Sequence, residues 1–275
     1  MPGLPIKHSI YYHFKIEMTE PIHRLLRIMD RLRDPEHGCD WDRAQTFATI
    51  APYTIEEAYE VADAIARDDM AELKEELGDL LFQVVFHARM AEELGLFDFD
   101  AVADAIADKM EARHPHIFAA SDAANAETDR ETRWENLKAQ ERAKKGAESA
   151  MDGIARALPA LLRAEKLQKR AAREGFDWPD PRGPAEKLAE ETQELDEALE
   201  ADKLEEAGDL LFSAVNLVRA YGIAAEDALR VANDKFERRF RGMESIQGGS
   251  LSGLSLEQQE VLWQEVKRSE RGKTT

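Results

Sequence analysis

The chain has one cysteine, Cys39, among 275 residues. It cannot form an internal disulfide, and a reducing, cytoplasmic setting is the expectation. Strand signals are nearly absent, and helical periodicity dominates. No apolar run reaches membrane-spanning length, so no membrane partner is expected. Lys7, His8, His13 and Lys15 interrupt any signal-peptide core near the start. Residues 1–18 read as an N-terminal tail, with Met18 an alternative start. Positive charge is also short: 37 bases face 56 acids, for a net charge of −19. That argues against broad binding to nucleic acid or to an anionic membrane, since each needs a basic face. An anionic small molecule held through a metal and a few local bases stays compatible.

What the chain does have is an acidic motif that occurs twice. Glu56-Glu57-Ala58-Tyr59-Glu60 precedes Glu76-Leu77-Gly78-Asp79, and Glu190-Glu191-Thr192-Gln193-Glu194 precedes Glu206-Ala207-Gly208-Asp209. Each copy is E-E-x-x-E followed by E-x-x-D. In a helix, residues three apart share a face, so Glu57 pairs with Glu60 and Glu76 with Asp79. If the two helices pack, four carboxylates converge. Such a cluster repels itself unless a cation sits in it. The duplication extends further. Gly38-Cys39-Asp40-Trp41 matches Gly175-Phe176-Asp177-Trp178, and Asp79-Leu80-Leu81-Phe82 matches Asp209-Leu210-Leu211-Phe212. Asp108-Lys109-Met110-Glu111 matches Asp234-Lys235-Phe236-Glu237, and Trp134 matches Trp263. Colinear matches with nearly constant spacing mean two domain-sized modules rather than a solenoid.

The expected organisation is therefore all-α, with a first module at 19–145, a hinge at 146–157 and a second module at 158–271. Helices are expected near 21–33, 54–67, 70–94, 100–114 and 131–145, then near 158–174, 184–200, 202–221, 225–242 and 256–271. Thr54 with Glu57 forms a capping-box pattern, Asp100 is a candidate N-cap, and Gly95 and Gly222 stand where C-cap glycines belong. Leu77 to Phe86 is apolar almost all round, which predicts a buried helix and a buried Asp79. The plainer alternative is an acid pointing to solvent.

Carboxylates without histidine at these spacings disfavour a di-iron site, whose bundles use E-x-x-H. An all-oxygen set favours magnesium, manganese or calcium. Magnesium commonly joins carboxylates to substrate phosphates, which suggests phosphoanhydride or phosphate-ester chemistry with an activated water. Lys235, Arg238 and Arg239 follow the acids and could offset phosphate charge. Trp263 and Trp134 could stack on a base. Alternatively, the cations form a solvated helix face and the tryptophans pack in the core. His114 and His116 flank Pro115; the alternative to a metal pair is a helix terminus.

These motifs resemble the MazG family of nucleoside triphosphate pyrophosphohydrolases, in its tandem two-domain form, over about residues 19 to 271. Arg113-His114-Pro115-His116-Ile117-Phe118 and Lys235-Phe236-Glu237-Arg238-Arg239 also look like that family. The resemblance implies an all-α bundle built by a homodimer. It implies hydrolysis of ribo- and deoxyribonucleoside triphosphates to the monophosphate and pyrophosphate, clearing the nucleotide pool. Carried over, Glu191, Glu194, Glu206 and Asp209 are the magnesium ligands, with manganese a possible substitute. Glu57, Glu60, Glu76 and Asp79 match the same motif. Glu190 and Glu191 are the catalytic candidates, and Lys187, Lys203, Lys235, Arg238, Arg239 and Trp263 are the candidates for substrate contact. Tyr53 replaces Lys187, and Ala112 replaces Arg238, in the first module. Catalysis is therefore expected in the second module, while the first binds metal weakly, regulates, or builds the dimer. Two alternatives stand: a narrow dUTP or phosphoribosyl-ATP pyrophosphohydrolase, and an inactive helical scaffold.

Overall fold

The computed structural model describes residues 19–118 and 146–271. Every regular element among them is a helix. The chain divides into two compact units, Met1–Asp129 and Arg130–Thr275, each considered by itself.

The first unit contains α1 (Thr19–Leu32), α2 (Asp40–Ala44), α3 (Phe47–Ala66), α4 (Met70–Glu93), α5 (Phe99–Arg113) and α6 (Pro115–Phe118). Helices α3 and α4 pack as a hairpin, and α1 and α5 lie against α4. The hairpin turns within three residues: Asp68 adopts φ 56°, and the Asp69 carboxylate accepts from the amides of Ala71 and Glu72. Met29, Ile50, Val85, Phe86 and Met90 form the core. Arg33 closes its edge, reaching Glu93 at 2.7 Å.

Two expected caps shift. Helix α3 begins at Phe47, not near residue 54, because Thr46 and Thr49 cap it reciprocally. Pro52 sits inside the helix. Thr54 is therefore no cap: its hydroxyl donates to Ile50 O and lies 3.1 Å from His87 Nε2. Asp98, not Asp100, caps α5, accepting from Ala101 N at 2.8 Å. Gly95 and Gly222 do follow their helices with positive φ, 67° and 72°, where a side chain would be strained. His114 closes α5, and its Nδ1 lies 2.7 Å from Met110 O. The helix expected near 131–145, with Trp134, lies outside the described residues.

The second unit contains α7 (Ala160–Arg173), α8 (Arg182–Glu197), α9 (Lys203–Ala220), α10 (Ala225–Gln247) and α11 (Leu256–Arg271). Helices α8 and α9 repeat the α3–α4 hairpin, α7 packs on α9 and α10, and α11 packs on α10. Helix α10 runs past the expected end at 242 to Gln247, where Gly248 (φ 78°) stops it. A small core of Met243, Leu251 and Val266 lies between α10 and α11. The buried Glu165 carboxylate ties α7 to the start of α10: it accepts from Lys169 at 2.6 Å and from Ala225 N at 3.3 Å. No described helix is long and apolar enough to cross a membrane.

Candidate functional site

Helices α8 and α9 bring the second acid set together. E-E-x-x-E puts Glu191 and Glu194 one turn apart on α8, and α9 presents Glu206 from its first turn. One carboxylate oxygen each from Glu191, Glu194 and Glu206 lies within 4.8 Å of the others. Glu191 is only 4% exposed. Asp209, one turn beyond Glu206, lines a cavity of about 680 Å³ together with Glu191 and Lys187.

Lys187 sits in this cluster. Its Nζ donates to Glu190 Oε1 at 2.8 Å and lies 2.7 Å from Glu191 Oε1 and 3.9 Å from Glu194 Oε2. Hydrogen bonds to Glu190 and then Glu191 hold the ammonium well above its ordinary pKa. Burial pushes the Glu194 carboxyl up, and the Lys187 charge opposes that rise. The donor set suits a hard divalent cation: it is all carboxylate, converging, and already close enough to attract a positive charge.

The first module assembles the same motif with other surroundings. Glu57, Glu76 and Asp79 offer oxygens within 4.8 Å. Burial, then the charges of Asp79 and Glu60, push Glu57 up. Burial and the charges of Glu60 and Asp79 do the same to Glu76. Among the described residues no Lys or Arg pairs with these four acids. Tyr53, in place of Lys187, instead sets its ring edge-on to Trp41 at 6.2 Å. The expected burial of Asp79 fails in the single chain. Asp79 is exposed, and Leu77 beside it is 50% exposed. The apolar outer face of α4 is not covered by its own module, and Asp209 and Leu211 on α9 share this exposure.

The predicted cations divide. Lys187 joins the acids, whereas Lys203 pairs with Glu200 at 2.9 Å. Arg238 and Arg239 both reach Glu270, at 3.1 and 2.8 Å. Lys235 lies on the same exposed stretch of α10. Trp263 packs on Phe236 with ring centroids 5.7 Å apart, and the Arg239 guanidinium lies 5.5 Å from its ring. These four residues form one patch on α10 and α11. The contacts of Arg238, Arg239 and Trp263 described above all lie on α10 and α11.

Comparison with known proteins agrees with the repeated hairpin. The family profile described as "MazG nucleotide pyrophosphohydrolase domain" matches residues 45–118 and again 182–242. The chain is 55% identical over 258 residues to a nucleoside triphosphate pyrophosphohydrolase of Escherichia coli K12, covering 90% of this chain and 98% of that one. It belongs to the MazG family. A nucleoside triphosphate pyrophosphohydrolase/pyrophosphatase MazG of Thermotoga maritima is 45% identical over 249 residues, 88% of this chain and 94% of its own. A nucleoside triphosphate pyrophosphohydrolase of Mycolicibacterium smegmatis is 38% identical over 151 residues, 54% of this chain and 45% of its own. The two profile matches cover α3–α5 and α8–α10, which include the two hairpins that carry the repeated acids. The all-α fold in two helical modules matches that expectation.

The cavity beside the second acid cluster is the feature that sequence reasoning missed. Gln168, Ser213 and Asn216 are buried along it. The available signal was their polarity inside stretches that otherwise read as core. Phe176 and Trp178, in the repeated glycine–aspartate–tryptophan motif, also line it.

Proposed function

We propose that this MazG-family protein hydrolyses ribo- and deoxyribonucleoside triphosphates to the monophosphate and pyrophosphate, in its second module and with magnesium. The carrying observation is the second cluster: Glu191, Glu194 and Glu206 converge within 4.8 Å, with Lys187 among them and a cavity beside them. The relatives named as nucleoside triphosphate pyrophosphohydrolases support it.

Glu191, Glu194, Glu206 and Asp209 would hold the ion, and Mn²⁺ would substitute. When bound, the ion neutralises phosphate charge and acidifies a water. One carboxylate of the Glu190–Glu191 pair takes the proton of the attacking water. Its oxygen bonds to the α-phosphorus as the bond from that phosphorus to the bridging oxygen breaks, and pyrophosphate leaves. Lys187 and Lys203, at the starts of their acid motifs, contact the phosphates. Lys235, Arg238, Arg239 and Trp263 add the outer substrate contacts. The first module, with Tyr53 where Lys187 stands, binds metal weakly, regulates, or builds a homodimer. The exposed apolar residues Leu77, Leu81 and Leu211 support that assembly.

The test is product analysis. Purified protein is incubated with a panel of ribo- and deoxynucleoside triphosphates, with and without magnesium. Monophosphate and pyrophosphate, formed only with magnesium, are expected. Diphosphate and orthophosphate would overturn the reading.

A further inference from the structure

The second unit has another cavity, lined by none of the repeated acids. Its volume of about 460 Å³ lies in the ordinary range for a small-molecule site. Helix α7 contributes to both cavities with different residues. Lys166, Lys169, Arg170 and Arg173 line this one, whereas Leu167, Gln168 and Ala171 line the one beside the acid cluster. The two share no lining residue.

Helical spacing explains the division. Positions 166, 169, 170 and 173 stand three or four apart and fall on one face of α7. Lys166 with Arg170, and Lys169 with Arg173, are like charges four apart, an arrangement that destabilises a helix. An anion among them removes that repulsion. Glu165 is the one acid in the lining, and it cancels only part of the charge. It is 5% exposed and divided between Lys169 Nζ at 2.6 Å and Ala225 N at 3.3 Å. An ammonium carries three N–H donors, and Glu165 takes one of those on Lys169. Lys166 is exposed on the same face. This concentration of bases belongs to a chain whose net charge is −19.

The rest of the lining is apolar and held in place. Ile154, Ala155 and Leu158 come from the segment before α7, and Leu162 from its first turn. Asp152 orders the loop leading to them, accepting from Glu148 N at 2.9 Å and Ser149 N at 3.0 Å. Arg170 joins that loop to α7, donating through Nη1 to Ala150 O at 2.6 Å. A cavity that combines cations with aliphatic side chains suits an anion carrying an apolar part. Guanidinium and ammonium groups together match the several oxygens of a phosphate.

We infer that this cavity is a binding site for a small phosphate monoester with an apolar substituent, separate from the acid-lined cavity. The site stands whether or not the acid cluster hydrolyses nucleotides. The experiment is titration calorimetry on the full chain, with a chelator present so that no divalent ion bridges a phosphate to the acids. Three probes separate the two halves of the ligand: phenyl phosphate, inorganic phosphate and phenol. Phenyl phosphate is expected to bind once per chain, about tenfold or more tighter than inorganic phosphate, and phenol not to bind. Lys166→Glu is expected to weaken phenyl phosphate about tenfold or more. Ile154→Trp, which fills the apolar end, should bring phenyl phosphate down to the level of inorganic phosphate. Circular dichroism shows whether each variant is folded, and Lys166→Glu, on an exposed side chain, keeps the test decisive if Ile154→Trp is not. Lys187→Met is expected to leave binding as in the wild type. Absence of binding at millimolar phenyl phosphate would overturn the inference, as would equal affinity for phenyl phosphate and either phosphate or phenol. Binding lost in Lys187→Met and kept in Lys166→Glu would also overturn it, because the anion would then occupy the acid-lined cavity.

Discussion

The two modules solve the same helical hairpin with opposite interiors. At matched positions the first places Tyr53, Gln83, Phe86 and His87, and the second Lys187, Ser213, Asn216 and Leu217. The first buries Phe86 in a core with Met29, Ile50, Val85 and Met90. The second keeps a small core of Met243, Leu251 and Val266 and also buries Glu165, Gln168, Glu191, Ser213 and Asn216. Buried polar groups are costly unless satisfied, and they concentrate where chemistry is done. One copy of the repeat therefore invests its interior in packing and the other in a site.

The sharpest way to break this contrast is to remove one acid from each cluster. Glu191→Gln is expected to lower turnover about a thousandfold, by analogy with removing a principal electrostatic group, while Glu57→Gln leaves most of it. Pyrophosphate-release kinetics on both variants checks this, and loss of turnover in Glu57→Gln alone would reverse the assignment.

Next in size is the packing itself. Phe86→Asn, which writes the second module's residue into the first, is expected to destabilise the first module by about 3 kcal/mol or more. Chemical denaturation followed by circular dichroism reads this out. A change below about 1 kcal/mol would mean that the core around Phe86 is not what holds the module.

How far the sequence reached is visible at these same positions. The acids were legible because two spacings, each of helical period, recur in order; periodicity carries that information in one dimension. The caps of α3 and α5 were less so. Thr46 and Thr54, and Asp98 and Asp100, all have suitable side chains, and only the direction of the preceding backbone decides which one caps. Burial of Asp79 was misjudged because an apolar face is equally apolar whether its own module covers it or not. The cavity was hidden because a serine and an asparagine in an apolar helix look like tolerated exceptions until α7 is placed against them.

A smaller effect concerns Lys187. Without metal it is the countercharge of the acids, so Lys187→Met is expected to lower the melting temperature of the metal-free second module slightly. Magnesium should restore much of the loss. The matched change Tyr53→Lys should stabilise the metal-free first module. Thermal melts with and without the ion test both, and a Lys187→Met loss that magnesium leaves untouched would refute the countercharge role.

The smallest effect is in pH. His87 lies 3.1 Å from the Thr54 hydroxyl and stacks on Phe47, and burial holds its imidazole below the ordinary 6.5. The unfolded chain therefore takes up the proton first as pH falls through about 6.5. The associated stability is complete above that value and declines as pH drops toward the native pKa. Leu217 gives the second module no such term. Calorimetry across this range should move the first module's transition, and His87→Leu should reduce the movement.

The exposed leucines of α4 and α9 have a consequence for how the molecule meets its solvent. They lie on a chain of net charge −19, so two copies approaching through these faces repel at long range. Salt shortens that repulsion to about 10 Å at 0.1 M and leaves the attraction between apolar surfaces intact. Contact through these faces is then one that ionic strength promotes, the reverse of what a charge-matched interface does.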